Sequence, residues 1–346
     1  MMTPETDKRT TGAAFLLRLF LAFLRLGLTA FGGPAMVAYI RELAVKKKQW
    51  LTDDSFRDGV ALCQTIPGAT AMQAAAYAGL RAGGPLGAVA TYVGFGLPSF
   101  VLMVFLSALY GKAHDLPAVL SLFMGLQVIV VSLVANATVN FGRRSIKKWQ
   151  DGLLGLGAAF FLVVGGSPVI AIVASALLGL LLYGGLDLRK EGYASGFQGN
   201  AWNMMRPAVV MLLLLVAGLV VLFFLERKLF DLAALMVKVD LFAFGGGYAS
   251  VPLMLHEVVE VHHWMDSRVF MDGIALGQVT PGPIVITATF VGYLLAGFPG
   301  AVVGTITVFA PSIIILTLVV PYFDRIQHSP VAQRALRGAL VSFVGL

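Results

Sequence analysis

Read from its N-terminus, the chain alternates long apolar runs with short polar clusters. Ala13–Ala30, Ala61–Tyr77, Leu86–Tyr110, Ala118–Phe141, Leu153–Tyr183 and Pro207–Leu225 are the apolar runs of its first two thirds. At about 1.5 Å per residue, Leu86–Tyr110 reaches across roughly 30 Å of hydrocarbon even with Pro98 inside it. Gly165-Gly166-Ser167-Pro168 interrupts Leu153–Tyr183, which is therefore either a hairpin or one kinked crossing. Ala61–Tyr77 differs from the rest, because Pro67 and Gly68 stand in its middle. Proline removes a backbone donor and glycine weakens a helix, so the helix is expected to break there. In lipid each unpaired backbone group costs several kcal/mol. Such a break survives only where it faces protein or a water-filled cavity.

The same pattern returns. Phe31-Gly32-Gly33 recurs 213 positions on as Phe244-Gly245-Gly246, and Trp50, Asp58, Gln64, Pro67 and Gly68 recur 214 positions on as Trp264, Asp272, Gln278, Pro281 and Gly282. Beyond the break the offset is 213 again, with Gly79, Gly87, Pro98, Pro117 and Gly125 echoed by Gly292, Gly300, Pro311, Pro330 and Gly338. Two copies of one membrane unit follow from this. The organisation predicted is a polar tail over 1–12, a first membrane repeat over 13–183, a linker and connecting span over 184–225, and a second repeat over 226–346. The second copy is read as missing its last spans, since Leu346 corresponds to position 133.

Charge suggests how the copies are oriented. The loop before the first break carries Arg41 and Lys46–Lys48, whereas its counterpart carries Glu257, Glu260, Asp266 and Asp272 against Arg268. Farther on the bias reverses, Lys112 and Asp115 standing against Arg325, Arg334 and Arg337. Positive loops are held on the cytoplasmic side, so the two copies are expected to face opposite ways. The fold class predicted is an all-α polytopic membrane protein of two homologous, inverted repeats with broken or re-entrant helices. Sites in such proteins lie near the midplane at the repeat interface, on discontinuous helices.

Composition agrees and narrows the function. Of 346 residues 58% are hydrophobic and 12% charged, with 39 glycines and 15 prolines, far from the roughly 25% charged of soluble domains. The formal charge of +7 sits in short loops such as Arg143–Lys148, which reads as topology and not as a nucleic-acid surface. Cys63 stands alone, so no internal disulfide forms. The five histidines fall in polar loops, and no HExxH, GxSxG or cysteine-pair motif is present. Neither an enzyme, a metal site nor a cofactor is expected. The tail has no cleavage-type segment after it, and an uncleaved multi-pass protein is expected.

The candidate site is the pair of breaks. A helix starting after Pro67-Gly68 or Pro281-Gly282-Pro283 presents free N–H groups and a positive dipole end, which suit an anion. Gln64 and Gln278 add neutral amides. Phe31-Gly32-Gly33-Pro34 and Phe244-Gly245-Gly246 would bring a second irregular patch per copy, where bare backbone reaches a ligand. Arg25 and Lys238 are repeat equivalents inside apolar runs. Either they neutralise the anion, or Lys238 pairs with Asp240 and Arg25 snorkels to the surface. Trp50 and Trp264 read as interface anchors, and Asp58 and Asp272 as caps or pairs at the mouth of each broken segment.

At these residues the sequence resembles the chromate ion transporter family, long-chain two-repeat type. FGGPAMVAY, Trp50 with LTDDSFRDGVALCQTIPGA, and GFGLPSF carry the likeness in the first half. FGGGYASVPLM, Trp264 with DGIALGQVTPGP, and GYLLAGFPGA carry it in the second. One departure is Ala69, where family members usually have a second proline. The resemblance implies two homologous membrane domains of opposite orientation in a bacterial inner membrane. The implied activity is export of chromate; sulfate, of the same size, shape and charge, or another oxyanion is the alternative ligand. Beyond that anion and membrane lipid no partner is implied, and a homodimer is left open. A transporter of another anion, or a membrane scaffold without flux, are the competing readings.

Overall fold

A computed structural model describes residues 12–31, 35–113, 117–183, 201–244, 247–322 and 329–345, and among these every regular element is helical. The elements are α1 (Ala13–Thr29), α2 (Ala35–Arg41), α3 (Asp53–Thr65), α4 (Thr70–Ala113), α5 (Pro117–Ser145), α6 (Trp149–Val163), α7 (Pro168–Leu182), α8 (Ala201–Leu225), α9 (Arg227–Phe242), α10 (Ser250–Leu255), α11 (Ser267–Val279), α12 (Thr287–Val319) and α13 (Pro330–Ser342). α6 and α7 settle the open question over 153–183. They form a hairpin closed by Asp151, whose carboxylate accepts from Tyr183 Oη at 2.5 Å.

The repeat is visible down to its details. α2 and α10 each continue into a π-helical turn, Glu42–Lys47 and His256–Val261. α3 is capped by Thr52, which accepts from Ser55 N–H, and α11 by Asp266, which accepts from Val269 N–H. Both helices stop where a proline follows their extended last residue, Ile66 and Thr280, because the residue before proline disfavours the α region.

α4 folds back on itself at Gly83–Gly84, and α12 does so at Ala296–Gly297. Across the first fold Gly79 touches the Gly87 carbonyl and Thr91 Oγ1 donates to Ala75 O at 2.8 Å. Across the second Gly292 touches Gly300, and Thr289 Oγ1 meets Thr305 Oγ1 at 2.7 Å. Each of these pairs sits symmetrically about its turn, so the two limbs are antiparallel.

The same test shows what the Pro-Gly breaks are. Gly59 of α3 lies under the Tyr77 ring, and Gly273 of α11 under Phe290. In both cases the partners stand at nearly equal sequence distance before and after the break. α3 and the limb 70–82 are thus the arms of a hairpin, about 20 Å deep at 1.5 Å per residue. The breaks are the tips of hairpins, buried inside the protein, with Gly68 and Gly282 at the turns. α1 enters from the same side, since Trp50, just before α3, meets Phe15 at the start of α1 and stacks on Phe23 at 6.4 Å.

The limbs 85–113 and 298–319 cross fully and pack on each other. Tyr92 lies against Phe309 and Phe100 against Phe298, so the sequence rises on one limb as it falls on the other. They are antiparallel, which makes the two repeats enter from opposite faces, as the loop charges imply. α8 turns Leu213, Leu214, Phe224 and Leu225 outward, the surface of a helix solvated by lipid. α13 closes the molecule: Arg337 donates to the buried Asp151 at 2.7 Å and lies over the Tyr183 ring at 4.8 Å.

Candidate functional site

The two re-entrant tips are built into each other's repeat. Gly68 N–H donates to the Ala243 carbonyl at 2.9 Å, and Gly282 N–H donates to the Ala30 carbonyl at 3.0 Å. Ala30 and Ala243 are repeat equivalents, each just before its phenylalanine-glycine motif. A contact that is returned with the partners exchanged is the mark of a two-fold relation. Gly247 in turn packs on Val285 and Ile284 beyond the second break. From Ala243 to Gly247 is four Cα steps, so the two breaks lie against one segment at most roughly 15 Å long.

Only glycine fits at either tip. Gly68 has φ +114° and Gly282 φ +119°, a region that side chains rarely adopt. A Cβ at Gly68 would overlap Ser312 Oγ, and one at Gly282 would overlap Ser99 Oγ. These serines are equivalent, each follows the proline of its crossing limb, and each is fully buried. Ser99 Oγ donates to the Pro281 carbonyl, holding the second tip from the first repeat.

Past the glycines the tips diverge. α4 opens on Ala69 as N-cap, and the first helical bond runs from Gln73 N–H to Ala69 O at 3.0 Å. The N–H groups of Ala69, Thr70, Ala71 and Met72 therefore have no partner among the described residues, and four donors point along one helix end. In the second tip Pro283 has no N–H, and a 3₁₀ turn, Ile284–Ile286, closes early with Ile286 N–H on Pro283 O. That leaves Ile284 and Val285 as open donors, likewise among the described residues. The first tip also holds Gln73, fully buried, whose Nε2 donates to Pro67 O at 2.5 Å while its Oε1 has no partner among the described residues.

The remaining sequence candidates are distributed as follows. Pro67, Gly68, Pro281, Gly282 and Pro283 form the tips themselves. Gln278, on α11 just before the second tip, has a buried Nε2 unpartnered among the described residues, whereas Gln64 lies exposed on α3. Phe31 is exposed and Phe244 half-buried. Gly32, Gly33, Pro34, Gly245 and Gly246 lie outside the described residues. Arg25 is on an exposed face of α1. Lys238 pairs with Glu257 of the π-turn at 2.6 Å, not with Asp240. Asp240 is buried and bonded to Ser312 instead, its Oδ2 accepting the Ser312 N–H at 2.8 Å. Asp272 accepts from Tyr110 Oη at 2.8 Å, tying the far end of one crossing limb to the other repeat's hairpin.

Sequence reasoning passed over Ser99, Ser312, Gln73 and the cross-repeat role of Ala30 and Ala243. The serines had a signal, since Pro98-Ser99 and Pro311-Ser312 are equivalent. The alanines had none, because only their main-chain oxygens act.

Comparison with known proteins returns a sequence model described as chromate transporter, which matches residues 17–180 and 230–346. An uncharacterized transporter of Methanocaldococcus jannaschii is 46% identical over 99% of this chain and 84% of its own length. A chromate transport protein of Cupriavidus metallidurans is 31% identical over 97% of this chain and 82% of its own. A probable chromate transport protein of Synechococcus elongatus is 31% identical over 93% and 80%. No solved structure matches the chain.

Proposed function

The chain belongs to the chromate transporter family, and we propose that it is a secondary transporter that carries chromate out of the cytoplasm and so confers chromate resistance. The observation that carries this reading is the pair of re-entrant tips, fastened by reciprocal bonds and presenting amide groups without partners among the described residues. Chromate is a tetrahedral dianion. Fixed N–H donors at a helix start, in a site of low dielectric, complement its oxygens without needing a charged side chain.

The crossed attachment of the tips suggests how access alternates. Each tip is fastened to the opposite repeat, so rocking one repeat against the other moves both tips together and opens the seat to one face at a time. By the positive-inside rule, the face from which the first repeat enters is cytoplasmic, because Lys46–Lys48, Arg143 and Arg337 lie on that side. Potential alone gives the direction. Two negative charges leaving a negative interior gain about 4.6 kcal/mol per 100 mV, or roughly three decades of gradient. Sulfate has the same charge and shape, and backbone donors are expected to admit it as a competitor.

The test is chromate uptake into everted membrane vesicles under an imposed potential. Accumulation should rise when the lumen is positive and fall when its sign is reversed. Vesicles that take up no chromate under either sign, while containing well-folded protein, would overturn the reading.

A further inference from the structure

The two repeats differ most at one buried position. Where α1 has Gly27, packed on the Phe95 carbonyl, α9 has Asp240, with 1% of its surface exposed. Ionisable groups inside a membrane span are costly and usually functional. Asp240 has no cation partner among the described residues, because the cation nearest in sequence, Lys238, is engaged by Glu257. Among the described residues, every hydrogen bond of its carboxyl group is to Ser312: the backbone N–H at 2.8 Å, and Oγ at 2.7 Å from Oδ1 and 2.6 Å from Oδ2. One hydroxyl hydrogen serves two carboxyl oxygens there. A proton on Asp240 would supply the second hydrogen that this geometry can use.

Among the described residues, no other charged side chain is bonded to the Asp240 carboxyl. α12 packs along α9 and brings no charged side chain and only Tyr293, near its start. α10 carries no titratable group, and α8 only Arg206, in its first turns. From α4, the Tyr92 phenol faces this region and donates to Phe309 O at 2.8 Å. The π-turn offers Glu257, already paired with Lys238, and His256, paired with Glu260.

The same Ser312 hydroxyl lies against Gly68 and close to Gln73 Nε2, at the mouth of the four open amides. An ionised Asp240 would thus stand one hydroxyl away from the seat of a dianion, and the two would repel across a low dielectric. We propose that Asp240 takes up a proton as the oxyanion binds, so that the protein carries each dianion together with one proton. This rests on the transport reading above and gives it a coupling ion. The step balances simply: the carboxylate oxygen gains a proton from the water to which the seat is open, and returns it to water on the far side as the anion leaves. The first repeat has no equivalent acid, so the stoichiometry is one proton and not two. Net movement is then one negative charge per anion, and outward transport still gains from the potential.

Three measurements decide it. In proteoliposomes, the charge moved per sulfate or chromate should be one for the native protein and two for Asp240→Asn. Sulfate affinity should fall by up to tenfold per pH unit between about pH 6 and about pH 9. Asp240→Asn should flatten that dependence, and Asp240→Glu should restore it. Sulfate stays a dianion over this range and so controls for protonation of chromate itself. In infrared difference spectra, adding sulfate to the native protein at about pH 8 should raise a protonated-carboxyl band that Asp240→Asn lacks. Should the asparagine variant fail to fold, the native charge ratio and infrared band decide alone. A ratio of two, a flat pH dependence or no such band, with the anion bound and moved, overturns the proton while leaving transport intact. Native protein that binds and moves neither anion at any pH overturns both.

Discussion

The first and second re-entrant tips share a backbone and differ in chemistry. Both turn on a glycine with φ near +115°, both hand that glycine's N–H to the other repeat, and both press on a serine of the opposite crossing limb. Yet the first opens on four free amides with Gln73, Ser312 and Asp240 around it, while the second has Pro283, a 3₁₀ turn and Ser99 bonded to Pro281. Matching parts set the shape, and the unmatched parts make the first tip the more polar of the two. The repeats share a backbone plan, and on the proposal above only one of them carries the buried acid.

The largest effect should come from removing what the tips share. Gly68→Val and Gly282→Val each combine backbone strain with overlap of a buried serine, a cost of about 3 kcal/mol or more. Both should lose monodisperse protein in detergent, with Gly68→Val the worse because Gln73 also stands in the way. Equal wild-type melting temperatures would break the comparison at its root. Next comes the serine pair. Ser312→Ala strips the hydroxyl from a buried acid and should cost about 2 kcal/mol, against about 1 kcal/mol for Ser99→Ala, which loses a bond to a carbonyl. Thermal unfolding of the two variants side by side checks the order.

A smaller change is Gln73→Leu, which leaves the Pro67 carbonyl unpaired and should cost about 1 kcal/mol. By contrast Thr287→Val, at the start of α12, loses only the local bond from Oγ1 to Ile284 O and should lie within about 0.5 kcal/mol of the native protein. Ala69→Pro is the mildest and the most informative. It gives the first tip the proline of the second, deletes one open amide, and should weaken oxyanion binding about fivefold with little loss of stability, as read by titration calorimetry. Unchanged affinity would mean that the open amides do not hold the anion.

Much of this was legible beforehand because proline and glycine punctuate a helix wherever it lies. Pro67-Gly68 and Pro281-Gly282 marked both tips, and the offset of 213 to 214 residues related the halves. The charge difference between the two loops at 41–58 and 256–272 anticipated the inversion now seen in the antiparallel crossing limbs. What was not legible depends on partners far away in sequence. Nothing near Lys238 says that Glu257 will take it, leaving Asp240 to a serine on α12. Whether a break kinks a crossing or reverses the chain depends on which helices pack, and that was decided by Gly59 meeting Tyr77 and Gly273 meeting Phe290.

The exchanged bonds between Gly68 and Ala243 and between Gly282 and Ala30 also bear on how the chain is made. During synthesis the first hairpin enters the bilayer well before residue 243 has emerged from the ribosome, a lag of on the order of ten seconds at cellular elongation rates. Throughout that interval its tip must be sheltered by the insertion machinery, by water, or by a provisional arrangement undone later. Neither half is therefore expected to mature alone. Cutting the gene between the repeats should leave two fragments that reach the membrane but are cleared by quality-control proteases unless expressed together.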